Sequence, residues 1–284
     1  MVKSILIGLD GSPFSHAAVE LGLLWAKQLD AMLVGIGIVD EPAVVTRLPS
    51  QMVPGLPPFD PLAEASGLDQ RLFHEDQRRV ERYLQQFTLQ CAERQVPCKL
   101  LEDLGVPAER LTTQAQRFDL VMLGRRTFFH RGSSEELDAT LKEVARFCSR
   151  PVVTVPNSIR ESKCVMVAYD GSPEAARALQ AFEASGIDKD KKVHIVSIAT
   201  SHSEAEKHAQ QAADFLTWHD RPFMVHAVVC KDHPAQAIIK QTWLCDPSIL
   251  VMGVFGHGKL RDFLFGSVTR TLLKESPVPL FLYH

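Results

Sequence analysis

Apolar residues recur along this chain in two rhythms. Short runs rich in Ile, Leu and Val, at 5–9, 33–39, 120–123 and 152–155, are bounded by glycine, proline or aspartate. They read as buried strands. Between them, apolar positions fall three or four apart, the spacing of a helix with one buried face. The first such helix is expected from Pro13 to about Asp30, with Leu21, Leu24, Trp25 and Leu29 inward and Ser12 capping it ahead of Pro13. A long helix is expected over 72–94, turning Leu72, Val80, Leu84, Phe87 and Cys91 inward. A strand near 98–102, a helix after Pro107 and a helix over about 135–147 complete this half. The later half repeats the alternation, with strands at 165–169, 193–199, 224–230, 249–252 and 280–283. Its helices begin near Pro173, Ser203, Pro234 and Ser267. Strands alternating with helices imply an α/β fold with a parallel sheet covered on both faces. Residues 41–67, carrying Pro42, Pro49, Pro54, Pro57, Pro58 and Pro61, show no usable period and read as a long loop.

The alternation is one unit written twice. Asp-Gly-Ser-Pro closes a strand at 10–13 and again at 170–173. Val106-Pro107-Ala108 is echoed by His233-Pro234-Ala235, the strand ending in Gly124 by the strand ending in Gly253, and Pro151 by Pro277. Ordered echoes of this length predict a tandem duplication, with units 1–156 and 157–284 joined near Pro156.

The richest chemistry lies between Met252 and Val268. An apolar strand stops at Gly253; Gly256, His257 and Gly258 follow, then Lys259 and Arg261; Gly266-Ser267 opens an amphipathic segment with Val268, Leu272 and Leu273. Glycines let backbone N–H groups approach a ligand closely, and a helix N-terminus suits an anion. Ser267 is expected to cap that helix or to donate its hydroxyl to a phosphate oxygen. The stretch is neither a Walker A loop nor a dinucleotide fingerprint, because no Gly-Lys-Ser/Thr closes it and it follows a late strand. It reads Gly-x2-Gly-x9-Gly-Ser.

That spacing resembles the nucleotide-binding signature of the universal stress protein family, in its ATP-binding branch. The resemblance implies two tandem, doubly wound, five-stranded parallel-sheet domains packed as a pseudo-dimer through their fifth strands. It also implies that strand 1 lies beside strand 4, so that Asp170 faces Gly253 across one mouth. Residue by residue it assigns the turn Asp170, Gly171 and Ser172 to the nucleoside and Ile198 to adenine. It assigns Met252, Gly253, Gly256, His257, Gly258, Gly266, Ser267 and Val268 to the phosphates. The ligand is then ATP or AMP, with Mg²⁺ accompanying the phosphates, and the role that of a cytoplasmic stress-response sensor or regulator. Asp-Gly-Ser-Pro is also a good turn and helix start on its own.

The first unit carries a degenerate loop. Asp10 and Gly124 remain, but Thr127 replaces the second glycine and Thr140-Leu141 stand where Gly-Ser belongs; the loop is also three residues longer. Arg125, Arg126 and Arg131 leave open an altered anion site, as Gly132-Ser133 leaves open a displaced one.

Composition narrows the partners. A net charge of −3 offers no basic field for nucleic acid. No apolar run is long enough for membrane insertion, and the first residues form a strand, not a leader. The six cysteines are irregularly spaced and make no CxxC pair. Cys230 and His233 are near in sequence but have no further ligands beside them, so no metal site is expected there. No nucleophile–base set stands out, so slow ATP hydrolysis or phosphoryl or adenylyl transfer is the rival reading, and a ligand-free scaffold the other. Pairing of the two units within the chain is expected, and a homodimer is left open.

Overall fold

The computed structural model describes residues 1–40, 61–129, 139–254 and 266–284, with side chains in 61–72 excepted. The first half contains β1 (Ser4–Leu9), α1 (Pro13–Leu29), β2 (Met32–Val39), α2 (Pro61–Arg94), β3 (Cys98–Leu104), α3 (Pro107–Ala115), β4 (Leu120–Gly124), α4 (Ala139–Phe147) and β5 (Val152–Val155). The second contains β6 (Cys164–Ala168), α5 (Pro173–Ser185), β7 (Lys192–Ala199), α6 (His202–Trp218), β8 (Phe223–Val229), α7 (Pro234–Cys245), β9 (Leu250–Gly253), α8 (Ser267–Glu275) and β10 (Leu280–Tyr283).

All strands join one ten-stranded sheet in the order β3-β2-β1-β4-β5-β10-β9-β6-β7-β8. Each half has the same internal order, with its first strand beside its fourth. Within each half the pairing is parallel; at the seam β10 runs antiparallel to β5, with Phe281 opposite Val153. The expected contact through the fifth strands is therefore a direct backbone ladder.

The strands buried on both faces explain their near-continuous apolar runs. One apolar layer packs α1, α2, α5 and α6 against the sheet, and the other packs α3, α4, α7 and α8. Each layer crosses the seam. Phe281 of β10 meets Phe182 of α5 edge-on at 5.4 Å, a geometry that aromatic quadrupoles favour. Arg125, just after β4, donates from Nη1 to the carbonyl of Ser276 at the end of α8. A guanidinium there complements the negative end of the helix dipole. Burial, then Arg126, lowers the pKa of Arg125. Arg125, one of the arginines that left an altered anion site open, thus ties the two halves together; Arg131, Gly132 and Ser133 lie outside the described residues.

Two local expectations are corrected. The second helix begins at Pro61, not near residue 72, because Pro61 suits a helix start as well as a loop. The rest of the proline-rich stretch lies outside the described residues. Leu24 is exposed, whereas Leu21, Trp25 and Leu29 are buried. The buried stripe of α1 runs through 18, 21, 22, 25 and 29, and Leu24 falls on its flank.

Candidate functional site

The turn after β6 does two jobs. Asp170 Oδ1 accepts from the Ser172 N–H at 3.0 Å, and Ser172 Oγ accepts from the Ala175 N–H at 3.1 Å. Ser172 is the N-cap of α5 and Pro173 its first residue, so the local sequence builds the helix start by itself. This is the turn chemistry expected of Asp-Gly-Ser-Pro. It uses one carboxylate oxygen only, and Asp170 makes no other hydrogen bond among the described residues. Gly171 takes the positive φ (+78°) that the turn demands.

The parallel pairing of β6 with β9 brings this turn beside the end of β9 and the start of α8. A cavity of about 390 Å³ opens there, walled by Ala168, Asp170, Ile198, Met252, Gly253, Gly266, Ser267 and Val268 among others. Its position at the carboxyl ends of neighbouring strands, where the strand order reverses, is where open α/β sheets hold ligands. Eight residues named from the sequence thus share one mouth: Asp170, Ser172, Ile198, Met252, Gly253, Gly266, Ser267 and Val268. Gly171 is not among the walls; a Cβ there would point at His208 of α6. Gly256, His257 and Gly258, with Lys259 and Arg261, lie outside the described residues.

The two described glycines of the signature differ in purpose. A Cβ on Gly253 would stand 2.4 Å from the carbonyl carbon of Glu174 and 2.5 Å from the Ala175 nitrogen. Both are backbone atoms of the first turn of α5, so Gly253 is glycine because helix and strand press together. Gly124 meets the Cβ and carbonyl carbon of Phe14, the matching residue of α1, at 2.7 and 3.0 Å. Retention of Gly124 is explained by packing alone. Gly266 has φ −53°, open to any residue, and a Cβ there would meet nothing within 4 Å. Nothing in the described fold requires that glycine, and the open space before it is the cavity mouth.

Gly266, not Ser267, is the N-cap of α8, and among the described residues no side chain caps that end. The expected cap is corrected: Ser267 is the first helical residue, exposed and in the cavity wall. The first N–H groups of an α-helix have no partner within the helix. Those of α8 receive no side-chain cap from the described residues, unlike α1, α5 and α6, which serines cap. The dipole adds positive potential at this end.

The sequence reading missed Tyr169, Glu174, Val196, Pro234 and Ile238 among the walls. Burial, then the Asp170 charge, raises the Tyr169 pKa, so this phenol is neutral at pH 7. Pro234 carried a signal, since it belongs to the echo of Pro107, and Ile238 lies one helical turn beyond it.

The equivalent place in the first half is filled. Asp10 Oδ1 accepts from the Ser12 N–H at 2.8 Å, as in the second half, but Oδ2 also accepts from the Phe128 N–H at 2.7 Å. Phe128 stacks on Phe14. Phe129 is buried, and its Cζ lies 3.1 Å from where a Gly8 Cβ would be. Gly8 corresponds to Ala168, a wall of the open cavity. Asp10 is 6% exposed, so its carboxylate is a buried acceptor for the loop after β4. Asp10→Ala strands both N–H groups and is expected to cost about 2–4 kcal/mol of stability. Chemical denaturation would check this; a loss under about 1 kcal/mol would mean that the loop is held by other contacts.

Comparison with known proteins follows the geometry. The model of the universal stress protein family matches residues 161–284. A universal stress protein of Synechocystis is 24% identical over 166 residues, 58% of this chain and 58% of that one, so the chain matches little more than half the length of this relative. A universal stress protein of Mycobacterium tuberculosis is 26% identical over 323 aligned positions, covering 98% of this chain and 94% of that one. Among solved structures, a universal stress protein from Archaeoglobus fulgidus superposes with a TM-score of 0.67 at 17% identity, over 99% of this chain and 97% of that one. A protein of unknown function from Pseudomonas aeruginosa gives 0.59 at 12% identity, over 99% and 92%. These likenesses at low identity concern the fold.

Proposed function

We propose that the chain, whose residues 161–284 match the model of the universal stress protein family, binds an adenine nucleotide, ATP or AMP, in its second half and acts as a regulator. One observation carries this reading: a single cavity is walled by the Asp170 carboxylate on one side and the uncapped start of α8 on the other. Its volume of about 390 Å³ falls within the range of small-molecule sites. A carboxylate oxygen not spent on the turn accepts from ribose hydroxyls or an amine. Ile198 offers backbone to adenine, and the Gly266, Ser267 and Val268 amides face the phosphates. Met252 and Gly253 shape the mouth. Gly256, His257 and Gly258 are assigned to the phosphates on the sequence pattern alone.

Mg²⁺ belongs to this reading for an electrostatic reason. Asp170 and Glu174 both wall the cavity, and two carboxylates near a polyphosphate repel it unless a cation lies between. Mg²⁺ needs few protein ligands beside phosphate and water. The ion supplies charge neutralisation; the chain supplies orientation.

Regulation fits better than turnover. Among the described walls no serine or threonine stands beside a histidine base, and the Ser172 hydroxyl already accepts the Ala175 N–H. The units 1–156 and 157–284 are read as a nucleotide-free partner and a nucleotide-binding one, paired within the chain, in a cytoplasmic stress response.

Calorimetry of the full chain with ATP and AMP, with and without Mg²⁺, tests the reading. One nucleotide per chain is expected, and adenine nucleotide in the mass spectrum of the purified protein. No binding would leave a scaffold. Turnover that disappears in Ser267→Ala would make the protein an enzyme.

A further inference from the structure

A different part of the second half carries a second site. His194 interrupts the apolar strand β7, and His226 interrupts β8 beside it. His226 is paired with Val196 in the ladder, and His194 lies two residues before Val196. Both histidines therefore project from the same sheet face as Val196, which packs in the layer beneath α7. Cys245, the last residue of α7, comes down on the same spot. His226 Nε2 and His194 Nδ1 are 3.1 Å apart, and their rings stack at 5.0 Å. One ligand atom from each residue of the trio lies within 4.8 Å of the others.

We propose that His194, His226 and Cys245 bind a Zn²⁺-class ion through Nδ1, Nε2 and Sγ. Two imidazoles and a thiolate are the donors that zinc prefers, at bond lengths of about 2.0–2.3 Å. Tetrahedral bonds of that length put donor atoms roughly 3.3–3.7 Å apart, so the two nitrogens, at 3.1 Å, need to open by only a few tenths of an ångström to take an ion between them. Three protein ligands leave a fourth position, which water can take because all three residues are half-buried.

The surroundings hold the donors ready. The Cys245 carbonyl accepts from Cys164 Sγ at 3.1 Å. The next residue, Asp246, caps the helix in the left-handed region. These contacts fix the end of α7 and hence the thiol. Burial lowers the pKa of both histidines, with His226 acting on His194 and Lys192 on each. The imidazoles are therefore neutral at pH 7, the ligating form. Burial and Cys164 raise the Cys245 thiol; a bound ion displaces that proton, since a coordinating thiol is deprotonated outright. The site does not depend on the nucleotide reading: α7 walls the cavity with Pro234 and Ile238 at its start and holds Cys245 at its other end.

Nothing at the level of spacing pointed to it, because the three residues come from three elements. The sequence had singled out Cys230 and His233, which join no metal-holding group among the described residues.

The test uses the full chain, stripped with a chelator and reloaded with Zn²⁺ or Co²⁺. One ion per chain is expected. Co²⁺ should give visible tetrahedral d–d bands and a near-ultraviolet thiolate charge-transfer band. His226→Gln should weaken Zn²⁺ binding by at least about 100-fold, since losing even an outer partner of a ligand costs 10–100-fold. Cys245→Ser should abolish the charge-transfer band. Circular dichroism establishes that both variants are folded. No stoichiometric binding by the parent overturns the proposal, as does binding that folded variants retain in full.

Discussion

Asp170→Ala is expected to weaken adenine-nucleotide binding about 10- to 100-fold while changing stability by no more than about 1 kcal/mol. A hydrogen bond to a charged group is worth about 1.5–3 kcal/mol when it is buried with a ligand, and about 1.4 kcal/mol is a factor of ten in affinity. The carboxylate is exposed in the cavity wall, and the one N–H that it holds belongs to Ser172, a buried residue, through a hydrogen bond that is only part-buried because Asp170 itself faces the cavity. Water can replace that bond. Calorimetric titration and a urea melt on the same preparation give both numbers. Affinity equal to that of the parent would remove Asp170 from the ligand. At Asp10, where the matching carboxylate is buried against the Phe128 N–H, the loss falls on stability instead.

Gly253→Ala and Gly266→Ala should separate just as sharply. At Gly253 the new methyl would stand 2.4–2.7 Å from backbone atoms of Glu174 and Ala175. Backbone cannot swing aside like a side chain, so α5 must lift from β9. Overpacking of this kind costs about 1–3 kcal/mol, lowering Tm by roughly 2–10 °C for a chain of this size. At Gly266 the methyl meets nothing within 4 Å; the gain of about 0.5 kcal/mol as the unfolded chain loses freedom is offset by alanine's poorer fit at an N-cap, so stability should change by less than about 1 kcal/mol. Nucleotide affinity should fall, because the methyl enters the space assigned to phosphate. Thermal melts and titrations of both variants decide it. A Gly266→Ala protein that binds as tightly as the parent would take the phosphates away from the start of α8.

What the sequence discloses follows the range of the interaction. The turn at 170–173 is local: aspartate, glycine, serine and proline each act within three residues, and the structure repeats those contacts. The strands are nearly local, since an apolar run between breakers has few other uses. The neighbouring position of β1 and β4 came from resemblance, not from spacing. The contacts that decide each site are long-range. Gly253 reads as a phosphate glycine until Glu174, far away in the chain, is seen pressed against it. Thr127 was readable as a lost glycine, but Phe129 over Gly8, and the Phe128 N–H on Asp10, join elements more than a hundred residues apart. Leu24 obeyed the helical period and still fell outside the stripe, because α1 packs through its small residues Ala18 and Gly22.

The antiparallel seam between β5 and β10 has a directional consequence. Every strand of the first half points the opposite way from every strand of the second, so their carboxyl tips emerge at opposite poles of one slab. The pole carrying Asp170 holds the open cavity; the pole carrying Asp10 has Phe129 over Gly8 instead. A body built by near-twofold symmetry is chemically polar, with a receptive end and a sealed one. Whatever docks beside the open cavity meets a surface that the other pole does not duplicate.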